Sequence, residues 1–67
     1  MNKIQELRLA ANMSQKELGT AVDLTQAAIS LYELGKRLPN LRISRKIVNV
    51  FRAKGVECTI DDFAPEV

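Results

Sequence analysis

The chain has 67 residues, of which 46% are hydrophobic and 27% are charged, and its formal net charge is +2. This length and composition are typical of a soluble globular protein with one small core, so we expect one complete domain over residues 1–67 rather than a disordered tail. The single cysteine excludes an internal disulfide and favours a reducing, cytoplasmic compartment, and no apolar run approaches the ~18 residues that a membrane span needs.

The first predicted helix covers residues 3–11. Asn2 can cap its start, and Ile4, Leu7 and Ala11 recur at helical spacing. These three side chains should therefore face the core.

The segment 14–33 contains two helix starts that are separated by a short turn. It begins with Ser-Gln-Lys-Glu, which fits the capping box, and Thr25 offers a second N-cap hydroxyl. Asp23 lies in the turn and tolerates the left-handed conformation, although less well than glycine does. The pattern predicts helices over 15–21 and 26–33 that pack as a helix-turn-helix.

A fourth helix is predicted over residues 41–53, because Asn40 can cap its start while Gly35 and Gly55 end the third and fourth helices. Ile43 and Val50 lie beside its apolar stripe and could serve either packing or a partner contact. Its predicted core face consists of Leu41, Ser44, Ile47, Val48 and Phe51.

The last segment, 56–67, fits two local structures. Val56, Cys58 and Ile60 alternate with polar residues, as in a strand. Thr59 is also followed by acidic residues, as in a short helix with acids at its positive end. Cys58 is expected to be a small buried hydrophobic residue in either case.

Positive charge is concentrated in residues 34–54, which contain no Asp or Glu, whereas the end of the chain is acidic. A run of this kind is often only a solvated helix face. Beside a helix-turn-helix it favours contact with phosphates. The basic residues are Lys36, Arg37, Arg42, Arg45, Lys46, Arg52 and Lys54.

Four short motifs in the chain have the residues and the spacing that are typical of a known family. They are Met13-Ser14-Gln15-x-Glu17-Leu18, Val22-Asp23-Leu24-Thr25-Gln26, Ile29-Ser30-x-Tyr32-Glu33 and Gly35-Lys36-Arg37-x-Pro39. They resemble the lambdoid phage repressor/Cro (xenobiotic-response-element) family over roughly residues 4–52. The resemblance implies an all-α, compact four- to five-helix bundle with the helix-turn-helix at helices 2 and 3, and it favours a short helix after Gly55. Asp23 departs from that family, which most often has glycine there.

The resemblance implies that the third helix reads base edges in the major groove of double-stranded DNA. Gln26 is the first candidate, because a glutamine can pair with the N6/N7 edge of adenine. Ala27 and Leu31 could contact thymine methyls, although Leu31 fits packing equally well, and Ser30 fits a phosphate contact better than a base contact. The candidate DNA-facing set is Gln26, Ala27, Ser30 and Leu31.

Phosphate contacts are expected on both sides of this helix. In relatives, the glutamine at the position of Gln15 contacts phosphate and supports the first recognition glutamine, and a helix start favours an anion. The resemblance also pairs Arg8 with Glu33, which we interpret as a structural ion pair. The candidate phosphate contacts are Gln15, Lys36, Arg37, Asn40 and Arg42.

The resemblance further implies a small Cro-like phage or prophage repressor that binds a palindromic operator as a homodimer, formed in solution or only on DNA. Two-fold binding places recognition helices about 34 Å apart. Ile60 and Phe63 could instead cover the core. The candidate dimer contacts are Val56, Cys58, Ile60 and Phe63.

Catalysis is not expected, because the chain has no histidine and no Cys/His cluster, and we expect neither a metal nor a cofactor. The alternative to a stand-alone repressor is an antitoxin or adaptor in which the same fold chiefly binds a protein partner. The acidic end of the chain is compatible with that alternative.

Overall fold

The computed structural model describes residues 3–62 as a bundle of helices, and no strand occurs among these residues. The predicted all-α fold is therefore confirmed. Within the described residues, no helix combines the length and the apolar character needed to cross a membrane. The elements are α1 (Ile4–Ala10), α2 (Gln15–Ala21), α3 (Gln26–Glu33), α4 (Leu41–Ala53) and a short 3-10 helix (Ile60–Asp62).

Side-chain caps determine where three of the helices begin. The Ser14 Oγ accepts the Glu17 N–H at 3.0 Å, and the Glu17 carboxylate accepts the Ser14 N–H at 2.8 Å, which completes the predicted capping box. Thr25 and Asn40 accept the N–H of the third residue of α3 and α4, at 3.1 and 2.8 Å. Helix α1 instead begins after Lys3, which makes no side-chain cap, and the predicted cap Asn2 lies outside the described residues.

All four α-helices end in the same way. One residue after each C-cap is left-handed, and the N–H of the next residue donates back to a carbonyl near the helix end at 3.1, 2.7, 3.0 and 2.9 Å. This is the Schellman motif, which satisfies carbonyls that the helix itself leaves unpaired. The left-handed residues are Asn12 (φ 60°), Asp23 (φ 66°), Gly35 (φ 74°) and Gly55 (φ 82°).

The core lies where the four α-helices meet, and one residue that was predicted to face the core lies outside it. Leu41 is 56% exposed, so its assignment to the core face of α4 is wrong. Leu41 is the first residue of α4, and the buried stripe starts one turn later at Ser44, whose hydroxyl donates to the Pro39 carbonyl at 3.4 Å. The buried apolar residues are Ile4, Ala11, Met13, Leu18, Val22, Ile29, Tyr32, Ile47, Val48, Phe51 and Cys58.

The segment after α4 folds back onto the bundle. Its 3-10 helix supports the helical alternative over the strand. The Arg52 Nε donates to the Cys58 carbonyl at 3.1 Å, and the Lys3 N–H donates to the Asp62 carbonyl at 3.1 Å. Cys58 is buried, as expected, and these bonds hold the segment against both α4 and the start of α1.

Candidate nucleic-acid interface

Helix α3 has one buried face and one accessible face. Ile29 and Tyr32 are 0% and 3% exposed and attach the helix to the core. Gln26 and Ala27, the first two residues of α3, are exposed. The predicted base-reading end of the helix is therefore accessible to a ligand.

The other two candidates on α3 are less accessible. Ser30 and Leu31 are both half-buried. The Leu31 carbonyl accepts the N–H groups of Lys36 and Arg37 at 3.0 and 3.3 Å, so this part of α3 also shapes the following loop. Leu31 thus combines partial packing with partial exposure.

A close approach between α2 and the start of α3 depends on Gly19. A Cβ atom at this position would lie 2.8 Å from the Leu24 carbonyl oxygen and 3.1 Å from the Thr25 carbonyl. The same turn is held by the Leu24 N–H, which donates to the Gly19 carbonyl at 2.7 Å. The role of Gly19 was not predicted from the sequence, although a glycine inside a predicted helix can indicate a packing constraint of this kind.

Arg8, Gln15 and Glu33 form a polar network that joins α1, α2 and α3. The Arg8 Nε donates to the Glu33 carboxylate at 2.6 Å, and the Gln15 Nε2 donates to the same carboxylate at 2.9 Å. The Arg8 Nη1 also donates to the Met13 carbonyl at 2.8 Å. The side chains of Arg8 and Glu33 are only 10% and 4% exposed, so the predicted ion pair lies in the interior rather than on the surface.

The candidate phosphate contacts after α3 lie on accessible surface. Lys36, Arg37, Asn40 and Arg42 are all exposed, whereas Gln15 is half-buried. The Asn40 side-chain oxygen caps α4, which leaves its two side-chain N–H groups as donors. The Lys36 N–H closes the Schellman turn at the end of α3 and Arg37 follows it, so both basic residues lie at the start of the loop after α3.

Among residues 3–62, the pKa values of Glu17 and Cys58 differ from their ordinary values. Hydrogen bonds from the backbone and the hydroxyl of Ser14 lower the pKa of the Glu17 carboxyl below its usual value. Burial raises the pKa of the Cys58 thiol, and the nearby carboxylate of Asp62 acts in the same direction. The thiol is therefore held in its protonated, less reactive form at neutral pH.

The predicted dimer residues differ in accessibility. Val56 and Ile60 are half-buried, while Cys58 is only 4% exposed and offers little surface to a second chain. Phe63 lies outside the described residues. Within residues 3–62, no three or more His, Cys, Asp or Glu residues are grouped so that they could hold a metal ion.

Comparisons with known proteins agree with this geometry. The family model described as helix-turn-helix matches residues 4–57. An uncharacterized HTH-type transcriptional regulator of Archaeoglobus fulgidus is 40% identical over 52 residues, which are 78% of this chain and 73% of that protein. The uncharacterized HTH-type transcriptional regulator YgzD of Bacillus subtilis is 36% identical over 53 residues, which are 79% of this chain and 80% of YgzD. No solved structure matches at a comparable significance.

Proposed function

The chain belongs to the helix-turn-helix family of DNA-binding transcriptional regulators, and we propose that it is a small Cro-like repressor that binds a palindromic operator as a homodimer. The observation that carries this proposal is the division of α3 into a buried face and an exposed N-terminal end. Gln26 and Ala27 occupy that end, where a recognition helix contacts base edges.

Gln26 is the principal base-reading residue in this proposal. Its amide both donates and accepts, so it can pair with the N7 and N6 groups of adenine in the major groove. Ala27 is exposed beside it and can contact a thymine methyl, and the exposed part of Leu31 can do the same one turn later. Ser30 is half-buried and suits a phosphate contact near the edge of the groove.

Phosphate contacts on both sides of α3 hold the protein in register on the duplex. Gln15 acts from the start of α2, and four exposed residues act from the loop and the start of α4. Residues 34–54 contain no acidic side chain, which favours attraction of the DNA backbone by the loop and the start of α4. The four residues are Lys36, Arg37, Asn40 and Arg42.

A second copy would extend recognition to a full operator. One such domain contacts only a few base pairs, and a two-fold dimer with recognition helices about 34 Å apart contacts two half-sites. We place the dimer contact in the segment after α4, through the accessible parts of Val56 and Ile60 together with Phe63. In this proposal the protein works in the cytoplasm as a single domain over residues 1–67.

The test is a selection of bound sequences from a random DNA library, with wild type, Gln26→Ala and Gln5→Ala at two salt concentrations. We expect an enriched palindrome, a loss of one conserved adenine with Gln26→Ala, and affinity that falls steeply as salt rises. Gln5 is exposed on α1, away from α3 in sequence, and serves as the matched glutamine control.

Other outcomes would contradict parts of this proposal. Salt-dependent binding without an enriched sequence would show that the basic surface binds DNA but α3 does not read bases. The absence of DNA binding would favour the alternative in which the module binds a protein partner. A single enriched half-site bound by one chain would exclude the dimer.

A further inference from the structure

We propose that Glu33 is a positioning residue that sets the orientation of the Gln15 side-chain amide for a contact with a DNA phosphate. This inference rests on the proposed function, because it assigns a role within the same DNA interface. Glu33 is the last residue of α3 and Gln15 is the first residue of α2, so the contact joins the two helices of the motif.

The geometry of the carboxylate determines which end of the Gln15 amide faces it. The Gln15 Nε2 lies 2.9 Å from the Glu33 Oε1, and this carboxylate is almost fully buried. An ionised carboxylate only accepts hydrogen bonds. A flipped amide would bring its oxygen against a carboxylate oxygen, so the nitrogen must face Glu33.

The fixed amide leaves a defined donor for DNA. Its nitrogen carries two hydrogens, and the bond to Glu33 uses one of them. Gln15 is half-buried at the start of α2. The second amide hydrogen remains available to donate to a phosphate oxygen. Because the bond to Glu33 already restricts the side chain, less side-chain freedom is lost on binding.

Arg8 makes this arrangement compatible with a nearby phosphate. A lone carboxylate at this position would repel the DNA backbone. Arg8 donates to both oxygens of Glu33, at 2.6 and 3.3 Å, so the pair has no net charge. The Arg8 Nη1 is also held by the Met13 carbonyl, which prevents the guanidinium from turning away.

The test is a double-mutant cycle in operator affinity with Gln15→Ala, Glu33→Gln and the double variant, compared at several salt concentrations. We expect Gln15→Ala to weaken binding roughly tenfold, because it removes a charge-assisted hydrogen bond. Glu33→Gln should weaken binding several-fold, because Gln15 can then flip. The double variant should bind no more weakly than Gln15→Ala alone.

Two comparisons separate positioning from a general structural effect. Arg8→Lys disturbs the network but retains Glu33 and a positive charge, so it should lower stability while leaving the penalty of Gln15→Ala intact. In the wild-type protein, NMR should show one Gln15 side-chain amide proton shifted downfield by the carboxylate, with the Gln5 amide as the internal reference. This second measurement does not depend on whether the Glu33 variant folds.

Independent, additive effects of Gln15→Ala and Glu33→Gln would overturn the inference, as would a Gln15 amide whose protons resemble those of Gln5. No effect of Gln15→Ala on affinity would also overturn it, because there would be no contact to position. In each of these cases the wild type still binds its operator. Failure of the proposed function is a different result, in which the wild type selects no DNA sequence.

Discussion

Arg8 and Glu33 are 25 residues apart in the chain, yet the Arg8 Nε lies 2.6 Å from the Glu33 carboxylate, and the two side chains are 10% and 4% exposed. This pair joins the first helix to the end of the third. Because both charges are shielded from water, the loss of one partner leaves the other in an unfavourable environment.

The first prediction concerns this pair. Arg8→Met should lower the free energy of unfolding by about 3–5 kcal/mol, since it leaves the Glu33 carboxylate buried without its partner. Chemical denaturation measures this change. The double variant Arg8→Met with Glu33→Leu should recover much of the loss, and a double variant as unstable as the single one would show that the pair is not the cause.

The second prediction concerns Gly19. Glycine to alanine inside a helix ordinarily stabilises a protein by roughly 0.5–1 kcal/mol. Here the new Cβ would lie 2.8 Å from the Leu24 carbonyl oxygen, so we expect Gly19→Ala to destabilise by about 1–3 kcal/mol.

Thermal or chemical unfolding of Gly19→Ala, with Thr20→Ala as the control, shows whether the substitution lowers or raises the free energy of unfolding. Thr20 is an exposed neighbour on the same helix, and its replacement should change stability little. If Gly19→Ala instead stabilised the protein, the prediction would be wrong, and the turn between α2 and α3 would have to move away from α2 to admit the new Cβ atom.

The third prediction concerns the left-handed residue between α2 and α3. Asp23 has φ 66°, where a side chain is disfavoured, so Asp23→Gly should raise the free energy of unfolding by up to about 1 kcal/mol. Gly55→Ala is the matched opposite change. A Cβ atom at residue 55 would meet no other atom within 4 Å, but the backbone φ there is 82°, which disfavours a side chain. Gly55→Ala should therefore lower the free energy of unfolding by about 1–2 kcal/mol. Equal stability of all three proteins in denaturation would contradict both expectations.

The fourth prediction concerns pH. Hydrogen bonds from Ser14 lower the pKa of Glu17 in the folded state below its ordinary value of 4.5. A carboxyl with a depressed pKa stabilises the fold above its unfolded pKa, and this stabilisation is lost as the pH falls through the folded pKa. The stability difference between wild type and Glu17→Ala should therefore be largest above pH 4.5 and decrease below it.

Denaturation curves across pH test this expectation, with a side-chain NMR titration of Glu17 as the direct measurement. Thr20→Ala on the same helix removes no titratable group, so its difference from wild type should not vary with pH. A Glu17 pKa at or above its ordinary value would contradict the capping-box argument.

Local signals in the sequence predicted α2 and α3 well. The hydroxyls of Ser14 and Thr25 act within three residues of themselves, so their capping role can be inferred from spacing alone. The turn at Asp23 is equally local. These features position the candidate recognition helix, which explains why its bounds agree with the prediction.

The features that the sequence did not predict depend on distant parts of the chain. Leu41 continues the helical period of α4, but periodicity does not show where the neighbouring helices end. The burial of Arg8 and the close contact at Gly19 arise only when other helices are in place. Asn12 adopts a left-handed conformation that its residue type permits but does not require.

The close contact at Gly19 has a consequence for the diversification of such proteins. Where α3 begins, main chain rests almost directly on main chain, so the angle between the two helices does not depend on which side chains α3 displays outward. Substitution of the exposed residues Gln26 and Ala27 should therefore alter operator preference without changing the angle between α2 and α3. The residues proposed to contact bases and the contact that sets the angle between α2 and α3 are therefore separate features of the motif.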